Sequence, residues 1–531
     1  MPDLSSAIAA TLLPGFTGTS LPEPLRRRLE AGLGGVCVFG PNIASTTQLA
    51  ELTAAITAAN PLAVIAIDEE GGDVTRLNYA DGSPYPGGAV LGRLDAEPLT
   101  EAVGRDVGEA LRRVGCTLDF APDVDVNSHP DNPVIGVRSF GADAARVARH
   151  GAAWTRGLQS AGVAACAKHF PGHGDTALDS HLALPVVDRS IEELRERELP
   201  PFRAAIAAGT GAIMTSHIVL PQVDPGVPAT FSTRILQSLL REELGFDGVI
   251  VTDALDMKGA SGTTGIPEAA VRALAAGCDL LCIGTETSDV LLDEIVAAIG
   301  DAVGSGRLSE ERVQDAASRV RALARGLADA RAGIPVPSAP DHDAQPVVPL
   351  ERAATAVDVQ QPALDALLKA QRDSGVPFAV VTLQTEANIA VGVAPWGPDA
   401  EVAAAPHAAD SVAWARHPRF TVCEPLTVSE QMGDPTERIQ EVLAAVPDNG
   451  GVVVIGKAVH RYAFAREAVD RLRVARTTLV VDLGWPSDDR AHADIATFGA
   501  SRLMGRVLMQ LLDGGDAAAG DDAGAAAEGA S

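Results

Sequence analysis

Hydrophobic residues in the first 330 positions fall into short runs, separated by longer stretches rich in Ala, Leu and Arg. Each run is nearly continuously apolar, as expected for parallel strands buried on both faces. The stretches between them have helical spacing and often end in glycine. Eight strand–helix units predict a (β/α)8 TIM barrel, with a doubly wound open sheet as the alternative. The eight runs span residues 10–16, 34–40, 62–68, 116–122, 163–170, 211–217, 248–253 and 278–284.

Polar residues stand where several of these runs end. Asp68 ends the third run, Lys168 and His169 end the fifth, and Asp253 ends the seventh. Because the carboxyl ends of barrel strands meet at one face, we expect these side chains to share a site. His217 ends the sixth run and fits either a wall of that site or a buried histidine with satisfied hydrogen bonds.

The chain continues beyond a barrel domain predicted to span 1–331. Residues 332–349 are rich in proline and are predicted to form a linker. A smaller α/β sandwich domain is predicted for 350–513, and the Asp/Gly/Ala-rich segment 514–531 is expected to be a disordered acidic tail. In the smaller domain, we predict strands at 378–383, 419–423, 450–456 and 477–484 and helices at 461–475 and 497–512.

Composition narrows the range of partners. The formal net charge of −28 would repel phosphate backbones, so we expect no nucleic-acid partner. No apolar run is long enough to span a bilayer, and the N-terminus fits a secretory signal poorly. We therefore expect a cytoplasmic protein without a membrane partner, as a monomer or weak oligomer. The six cysteines form no CxxC pair and are expected to be buried thiols.

Residues 168–181, KHFPGHGDTALDSH, hold three histidines and two aspartates. These side chains are possible metal ligands, and a metal-dependent hydrolase is one alternative. The segment is rich in Gly and Pro, however, and lacks the helical spacing that points two ligands in the same direction. It also lacks the GK[ST] sequence of a phosphate-binding loop. We therefore predict no metal and no cofactor.

Acid–base chemistry makes demands that these residues meet. Retaining glycoside hydrolysis needs a carboxylate nucleophile and a proton donor on opposite sides of the scissile bond. Asp253, at a strand end, suits a rigid nucleophile. Asp179 stands two residues before His181, and a carboxylate bound to one ring nitrogen fixes the tautomer and raises the basicity of imidazole. The other nitrogen can then donate and accept a proton.

Four segments carry a family resemblance. KHFPGHGDT…DSH resembles the signature of glycoside hydrolase family 3, in particular its NagZ-like β-N-acetylglucosaminidase branch. AIDEEGGDVTRL (66–77), NPVIGVRSFG (132–141) and GFDGVIVTDALDM (245–257) resemble further segments of that branch. The resemblance implies a retaining exo-β-N-acetylglucosaminidase acting on terminal β-linked N-acetylglucosamine in small glycans or cell-wall turnover fragments, such as muropeptides.

The resemblance also implies a role for each site residue. Asp253 would be the nucleophile, His181 the acid/base, and Asp179 the residue that orients His181. His173 and Asp175 are expected to hold the loop together. The residues expected to bind the sugar hydroxyls are Asp68, Arg76, Arg138, Lys168 and His169.

The sequence departs from the family at two positions. Glu69 replaces the usual Gln and Asp73 replaces the usual Arg, and we expect both side chains at the surface. Two further functions stay open. A phosphorylase would keep the same residues but use phosphate instead of water, and a catalytically inactive sugar-binding protein would need no intact nucleophile. The smaller domain offers no obvious Glu or His that would serve the chemistry, so we expect it to be structural or to shape access.

Overall fold

The computed structural model describes most of the chain, and these residues fall into two compact units. The described ranges are 3–176, 184–262, 264–338, 346–385, 391, 397–398, 420–422, 426–427 and 436–513. The first unit comprises the described residues within Met1–Tyr79, Gly87–Val348 and Ala387–Val393. The second comprises those within Ala80–Pro86, Pro349–Glu386 and Ala394–Ser531.

Each of the eight apolar runs in the first unit contains a strand, as predicted. The strands are shorter than the runs because pairing ends where the chain turns towards the following helix. They are Leu12–Leu13 (β1), Gly35–Val38 (β2), Val64–Ile67 (β3), Leu118–Asp119 (β4), Ala164–Phe170 (β5), Ala212–Thr215 (β6), Val249–Val251 (β7) and Leu281–Cys282 (β8).

The eight strands close into a parallel barrel. β2 to β7 form one sheet in chain order, and β1 pairs with β8. A parallel bridge between Val251 and Leu280 joins β7 to the start of β8. On the other side, the Cys37 amide donates to the Pro14 carbonyl at 2.9 Å, which joins β1 to β2. The predicted TIM barrel is confirmed, and the open-sheet alternative is wrong.

Helices follow the strands around the barrel, as the spacing predicts. Side-chain caps start several of them: Ser45, Asp143, Ser288 and Ser309 each accept a backbone hydrogen bond at a helix N-terminus. The α-helices are Leu4–Ala10 (α1), Glu23–Glu30 (α2), Thr46–Ala59 (α3), Gly88–Leu94 (α4), Glu97–Arg113 (α5), Ala144–Ser160 (α6), Ile191–Arg197 (α7), Leu199–Ala207 (α8), Lys258–Ser261 (α9), Ile266–Ala276 (α10), Asp289–Gly304 (α11) and Glu310–Ala332 (α12). A π-helix, Arg234–Glu243, lies between β6 and β7.

The barrel interior is filled by side chains from its strands. Sulfur-containing residues are prominent there, because Cys37, Cys166, Cys282 and Met214 belong to the same apolar cluster. The five described cysteines are free and buried, and burial raises the pKa of the Cys116 thiol to about 12. The thiols of the barrel are therefore core residues, as expected from the sequence.

The second unit is a three-layer α/β sandwich. Its strands are Asp358–Val359 (β9), Phe378–Gln384 (β10), Phe420–Val422 (β11), Leu426–Thr427 (β12), Gly451–Gly456 (β13), Thr477–Asp482 (β14) and Ile495–Ala496 (β15). The sheet order is β11-β10-β13-β14-β15-β9, with β12 also paired to β10. All pairs are parallel except β9 with β15. The two-residue strands β9, β12 and β15 were not predicted because they are too short to show a periodic pattern.

Helices cover both faces of this sheet. They are Leu350–Ala354 (α13), Gln361–Ser374 (α14), Thr436–Ala445 (α15), Ala463–Ala475 (α16) and Arg502–Leu512 (α17). Alternate residues of β10 face opposite layers, so Phe378 packs with α14 and α17 while Ala379 packs with α15 and α16. The helix predicted from residue 497 begins at Arg502, where the Ser501 hydroxyl caps it. Among all described helices, none is long and apolar enough to cross a membrane.

Candidate active site

A cavity of about 370 Å³ lies at the carboxyl ends of the barrel strands. Its lining includes six of the eight residues that the sequence singled out, and they come from the ends of β3, β5 and β7 and from the segments that follow β3 and β4. The other two, Asp179 and His181, lie outside the described residues. The six residues brought together are Asp68, Arg76, Arg138, Lys168, His169 and Asp253.

Buried ion pairs organise one side of the cavity. The Lys168 Nζ lies 2.7 Å from Asp68 Oδ1 and 2.7 Å from Glu70 Oε1. Arg138 donates two hydrogen bonds to the Glu70 carboxylate, at 2.7 and 2.9 Å. Arg76 lies 3.7 Å from the other Asp68 oxygen. Each cation therefore faces a carboxylate, and these pairs hold the side chains in fixed positions.

The charges of this network are stable near neutral pH. Burial alone would raise the pKa of Glu70, but Arg138 and Lys168 hold it well below its usual range. Burial likewise opposes the charge on Lys168, yet Asp68 and Glu70 raise its pKa above that of a free lysine. The cavity wall thus presents charged donors and acceptors to a ligand.

Two neutral histidines lie beside this network. His169 Nδ1 is 2.7 Å from Asp125 Oδ2, while the other oxygen of Asp125 accepts the amides of His169 and His173. Burial lowers the pKa of both His169 and His173 to about 4. Asp125 therefore orients the His169 ring and holds the backbone of the loop.

Three side chains of the same region are potential metal ligands. Potential ligand atoms of Asp123, Asp125 and His169 all lie within 4.8 Å of one another. A guanidinium group is already placed there, since Arg138 lies 3.5 Å from Asp123 Oδ2 and 3.4 Å from His169 Nε2. Both oxygens of Asp125 accept hydrogen bonds from N–H groups. The donor set therefore does not fit a metal ion, because a permanent cation and fixed donors occupy it.

Asp253 lies two residues beyond β7 and lines the cavity. Its Oδ1 accepts the amide of Ala254 at 2.8 Å, which fixes the carboxylate against its own backbone. His217 contacts the backbone next to Asp253. Its Nε2 lies 3.1 Å from the Ala254 carbonyl, and its Nδ1 lies 2.8 Å from Thr230 Oγ1. Of the two alternatives for His217, the structure shows a buried histidine with hydrogen-bonding partners.

The described start of the histidine-rich loop is anchored at several points. Asp175 accepts hydrogen bonds from Arg189 and Arg197, each at 2.7 Å, and so holds the loop as expected. A Cβ on Gly174 would lie 1.7 Å from the Val126 carbonyl oxygen, so only glycine fits there. His173 was also expected to serve loop structure, but its ring lines the cavity.

Two expectations about the segment after β3 are wrong. Glu69 and Asp73 are buried instead of lying at the surface. Glu69 accepts hydrogen bonds from the Thr75 hydroxyl and from the amides of Arg76 and Leu77, so it ties together the loop that carries Arg76. Single-sequence reasoning treats adjacent carboxylates as solvated, whereas here backbone N–H groups take the place of water.

The sequence analysis also missed Glu70. It pairs with both Arg138 and Lys168, the two cations assigned to the site. The signal was available: buried cations at strand ends require counter-charges, and Glu70 follows closely after the end of β3.

A model of the glycosyl hydrolase family 3 N-terminal domain matches residues 27–323. These 297 positions are more than half of the 531-residue chain. The chain belongs to glycoside hydrolase family 3. It is accordingly a glycoside hydrolase, and the family 3 match covers the part of the chain that forms the barrel and its cavity.

Relatives of this family 3 enzyme resemble it over one or both units. A family 3 β-N-acetylglucosaminidase from Paenibacillus sp. str. FPU-7 matches with a TM-score of 0.81 and 31% identity, covering 97% of each chain. A β-hexosaminidase of Pseudomonas aeruginosa (strain LESB58) is 42% identical over 262 residues, 49% of this chain and 78% of that protein. β-Hexosaminidase A of Pseudoalteromonas piscicida is 35% identical over 345 residues, 60% of this chain, and the chain spans 58% of its length.

Proposed function

We propose that this family 3 enzyme is a retaining exo-β-N-acetylglucosaminidase that releases terminal β-linked N-acetylglucosamine from small glycans or peptidoglycan fragments. The observation that carries the proposal is the convergence of Asp253 with paired charged groups on one cavity at the barrel mouth. The resemblance to a β-N-acetylglucosaminidase over 97% of both chains supports the choice of sugar. In this proposal the enzyme acts in the cytoplasm, as a monomer or weak oligomer and without a cofactor.

The size of the cavity supports a single-sugar subsite. At about 370 Å³ it lies near the lower end of the range for small-molecule pockets, roughly 300–1,000 Å³. Such a volume suits one terminal sugar ring better than several consecutive rings. An exo mode of action follows from this restriction.

The charged wall of the cavity suits sugar hydroxyls. A hydroxyl both donates and accepts, and Lys168 and Asp68 offer a donor and an acceptor 2.7 Å apart. Arg76, Arg138 and His169 extend the same surface. Hydrogen bonds to charged groups are stronger than neutral ones and hold the ring in one orientation.

The proposed chemistry has two steps. In the first, an Asp253 oxygen forms a bond to the anomeric carbon, the glycosidic bond breaks, and His181 protonates the leaving oxygen. In the second, His181 takes a proton from water while the water oxygen bonds to the anomeric carbon and the bond to Asp253 breaks. Asp179 orients His181 and stabilises its charged form. The roles of Asp179 and His181 rest on the sequence and the family resemblance.

The test is release of p-nitrophenol from the β-N-acetylglucosaminide and from the β-glucoside, with and without chelator and over a range of phosphate concentrations. We expect preference for the acetamido sugar, no effect of chelator, and no rise with phosphate. A sugar 1-phosphate product would instead assign a phosphorylase, and loss of activity in chelator would reopen the metal-dependent alternative.

Substitution separates the nucleophile from other aspartates near the same strand. Asp253→Asn should lower kcat by at least about 1,000-fold, because an amide cannot form the covalent intermediate. Asp247→Asn is the matched control, since Asp247 is exposed and lies before β7, away from its carboxyl end. Equal activities of the two variants would contradict the role of Asp253.

A further inference from the structure

His173 is a buried histidine of the cavity whose ring lacks a hydrogen-bond partner. It is 1% exposed and lines the cavity. Within the described chain, neither Nδ1 nor Nε2 makes a hydrogen bond. Its main chain is held on both sides, because the amide donates to Asp125 Oδ1 at 2.7 Å and the carbonyl accepts from Asn132 Nδ2 at 2.9 Å. The ring is therefore held at the cavity wall, with neither nitrogen hydrogen-bonded within the described chain.

Other buried histidines of the barrel have partners. His169 contacts Asp125, His150 lies 2.8 Å from the Thr100 hydroxyl, and His217 contacts Thr230. A buried polar group without a partner is unfavourable, since it has left water without gaining a hydrogen bond. The cavity location of His173 indicates that its partner is a ligand.

The chemistry of the ring limits what that ligand offers. With a pKa lowered to about 4 by burial, the imidazole is neutral and presents one N–H donor and one acceptor. The ring packs edge-on against His169 at 5.9 Å between centroids, and the charge of Asp253 acts on it. His173 and Asp253 line the same cavity, so a polar group on the carbon next to the attacked one is a candidate partner for the ring.

The neighbouring carbon of N-acetylglucosamine carries the acetamido group. The family resemblance assigns the ring hydroxyls to five other residues and assigns no residue to this group. An amide offers a carbonyl acceptor and an N–H donor, and a neutral imidazole can pair with either.

We propose that His173 is a substrate-binding residue that hydrogen-bonds the 2-acetamido group and so contributes to selection of N-acetylglucosamine over glucose. This inference rests on the proposed function. It gives the second histidine of KHFPGHG a role in recognition in addition to loop structure.

The test compares kcat/KM for the p-nitrophenyl β-N-acetylglucosaminide and β-glucoside in the wild type and three variants. His173→Phe should lower the ratio of the two values by about 10-fold or more, because the acetamido group loses its partner. The thermal midpoint should not fall, since no hydrogen bond within the protein is lost. His173→Gln restores a donor and an acceptor and should recover part of the ratio.

His150→Phe is the matched control. His150 is equally buried but is paired with Thr100 and Asp95, and it does not line the cavity. Its replacement should lower the thermal midpoint and leave the substrate ratio unchanged. An equal loss on both substrates in His173→Phe, or an unchanged ratio, would overturn the inference.

Failure of the proposed function can be distinguished from failure of this inference. If the wild type hydrolysed neither substrate, the activity would be wrong while the role of His173 could still be measured by calorimetry. Binding of free N-acetylglucosamine weakened in His173→Phe, with glucose binding unaffected, would support the inference. Equal binding of N-acetylglucosamine by both proteins would refute it.

Discussion

Glu70 joins the two buried cations of the site, and its replacement by glutamine tests whether that network organises the cavity. The carboxylate accepts two hydrogen bonds from Arg138, at 2.7 and 2.9 Å, and lies 2.7 Å from Lys168 Nζ. Glutamine keeps the size of the side chain but removes its charge. Arg138 would keep Asp123 as an ion-pair partner, and Lys168 would keep Asp68.

The expected loss of stability follows from this geometry. Removing one partner of a buried ion pair costs about 3–5 kcal/mol, because the remaining charge is left uncompensated. Unfolding entropy is about 2.1 cal/mol/K per residue, and the first unit has about 350 residues. The transition of this unit should therefore fall by about 4–7 °C. kcat/KM should fall as well, because Arg138 and Lys168 lose their fixed positions.

Scanning calorimetry measures this change. The transition of the barrel is identified as the one that N-acetylglucosamine raises, since a ligand stabilises the unit that binds it. Glu193→Gln is the control: this exposed carboxylate lies 3.3 Å from Arg189, and its loss should lower the transition much less, because solvent screens the pair. A Glu70→Gln transition no lower than that of the control, with unchanged kcat/KM, would refute the reasoning.

Three further predictions follow from single contacts. Glu69→Gln should keep activity within about 3-fold, because an amide can accept the same backbone hydrogen bonds and donate to a hydroxyl. Glu69→Leu should lower the thermal transition, because the backbone amides lose their acceptor. Equal thermal transitions of the two variants would contradict this prediction. Gly174→Ala should lower kcat/KM about 10-fold or more, because a Cβ would lie 1.7 Å from the Val126 oxygen, and wild-type kinetics would refute it. Burial raises the pKa of Glu198 to about 7, so the native state binds more protons than the unfolded state between about pH 4.5 and 7, and this contribution to stability is lost as pH rises. The thermal transition temperature of Glu198→Gln minus that of the wild type should therefore increase from about pH 4.5 to 7. A difference that stays constant across this range would contradict the prediction.

The sequence predicted the barrel because its signal is repeated eight times. Runs that are nearly continuously apolar, such as 62–68 and 248–253, are typical of strands buried on both faces. The second unit was harder at its edges, because β9 and β15 are only two residues long and antiparallel to each other. Such strands form through tertiary pairing, and a local pattern does not record it.

The site residues likewise include some that the sequence places correctly and others that depend on tertiary contacts. Strand-end residues such as Asp68 and Lys168 could be placed together from topology alone. The burial of Glu69 could not, because it depends on which backbone amides the fold brings within 3 Å. The need for a counter-charge such as Glu70 could be inferred, but its contacts with Arg138 and Lys168 depend on the tertiary fold. His173 was assigned to loop structure alone. Its backbone does hold the loop, but only the tertiary fold shows that its ring lines the cavity.

The central claim is a covalent glycosyl-enzyme on Asp253, and trapping that intermediate tests it most directly. A 5-fluoro glycosyl fluoride of N-acetylglucosamine slows the second step more than the first and should accumulate the adduct. Intact-protein mass spectrometry should show one added sugar, and peptide mapping should place it within GFDGVIVTDALDM at Asp253. An adduct at another carboxylate, or none under conditions in which the enzyme is inactivated, would contradict the account.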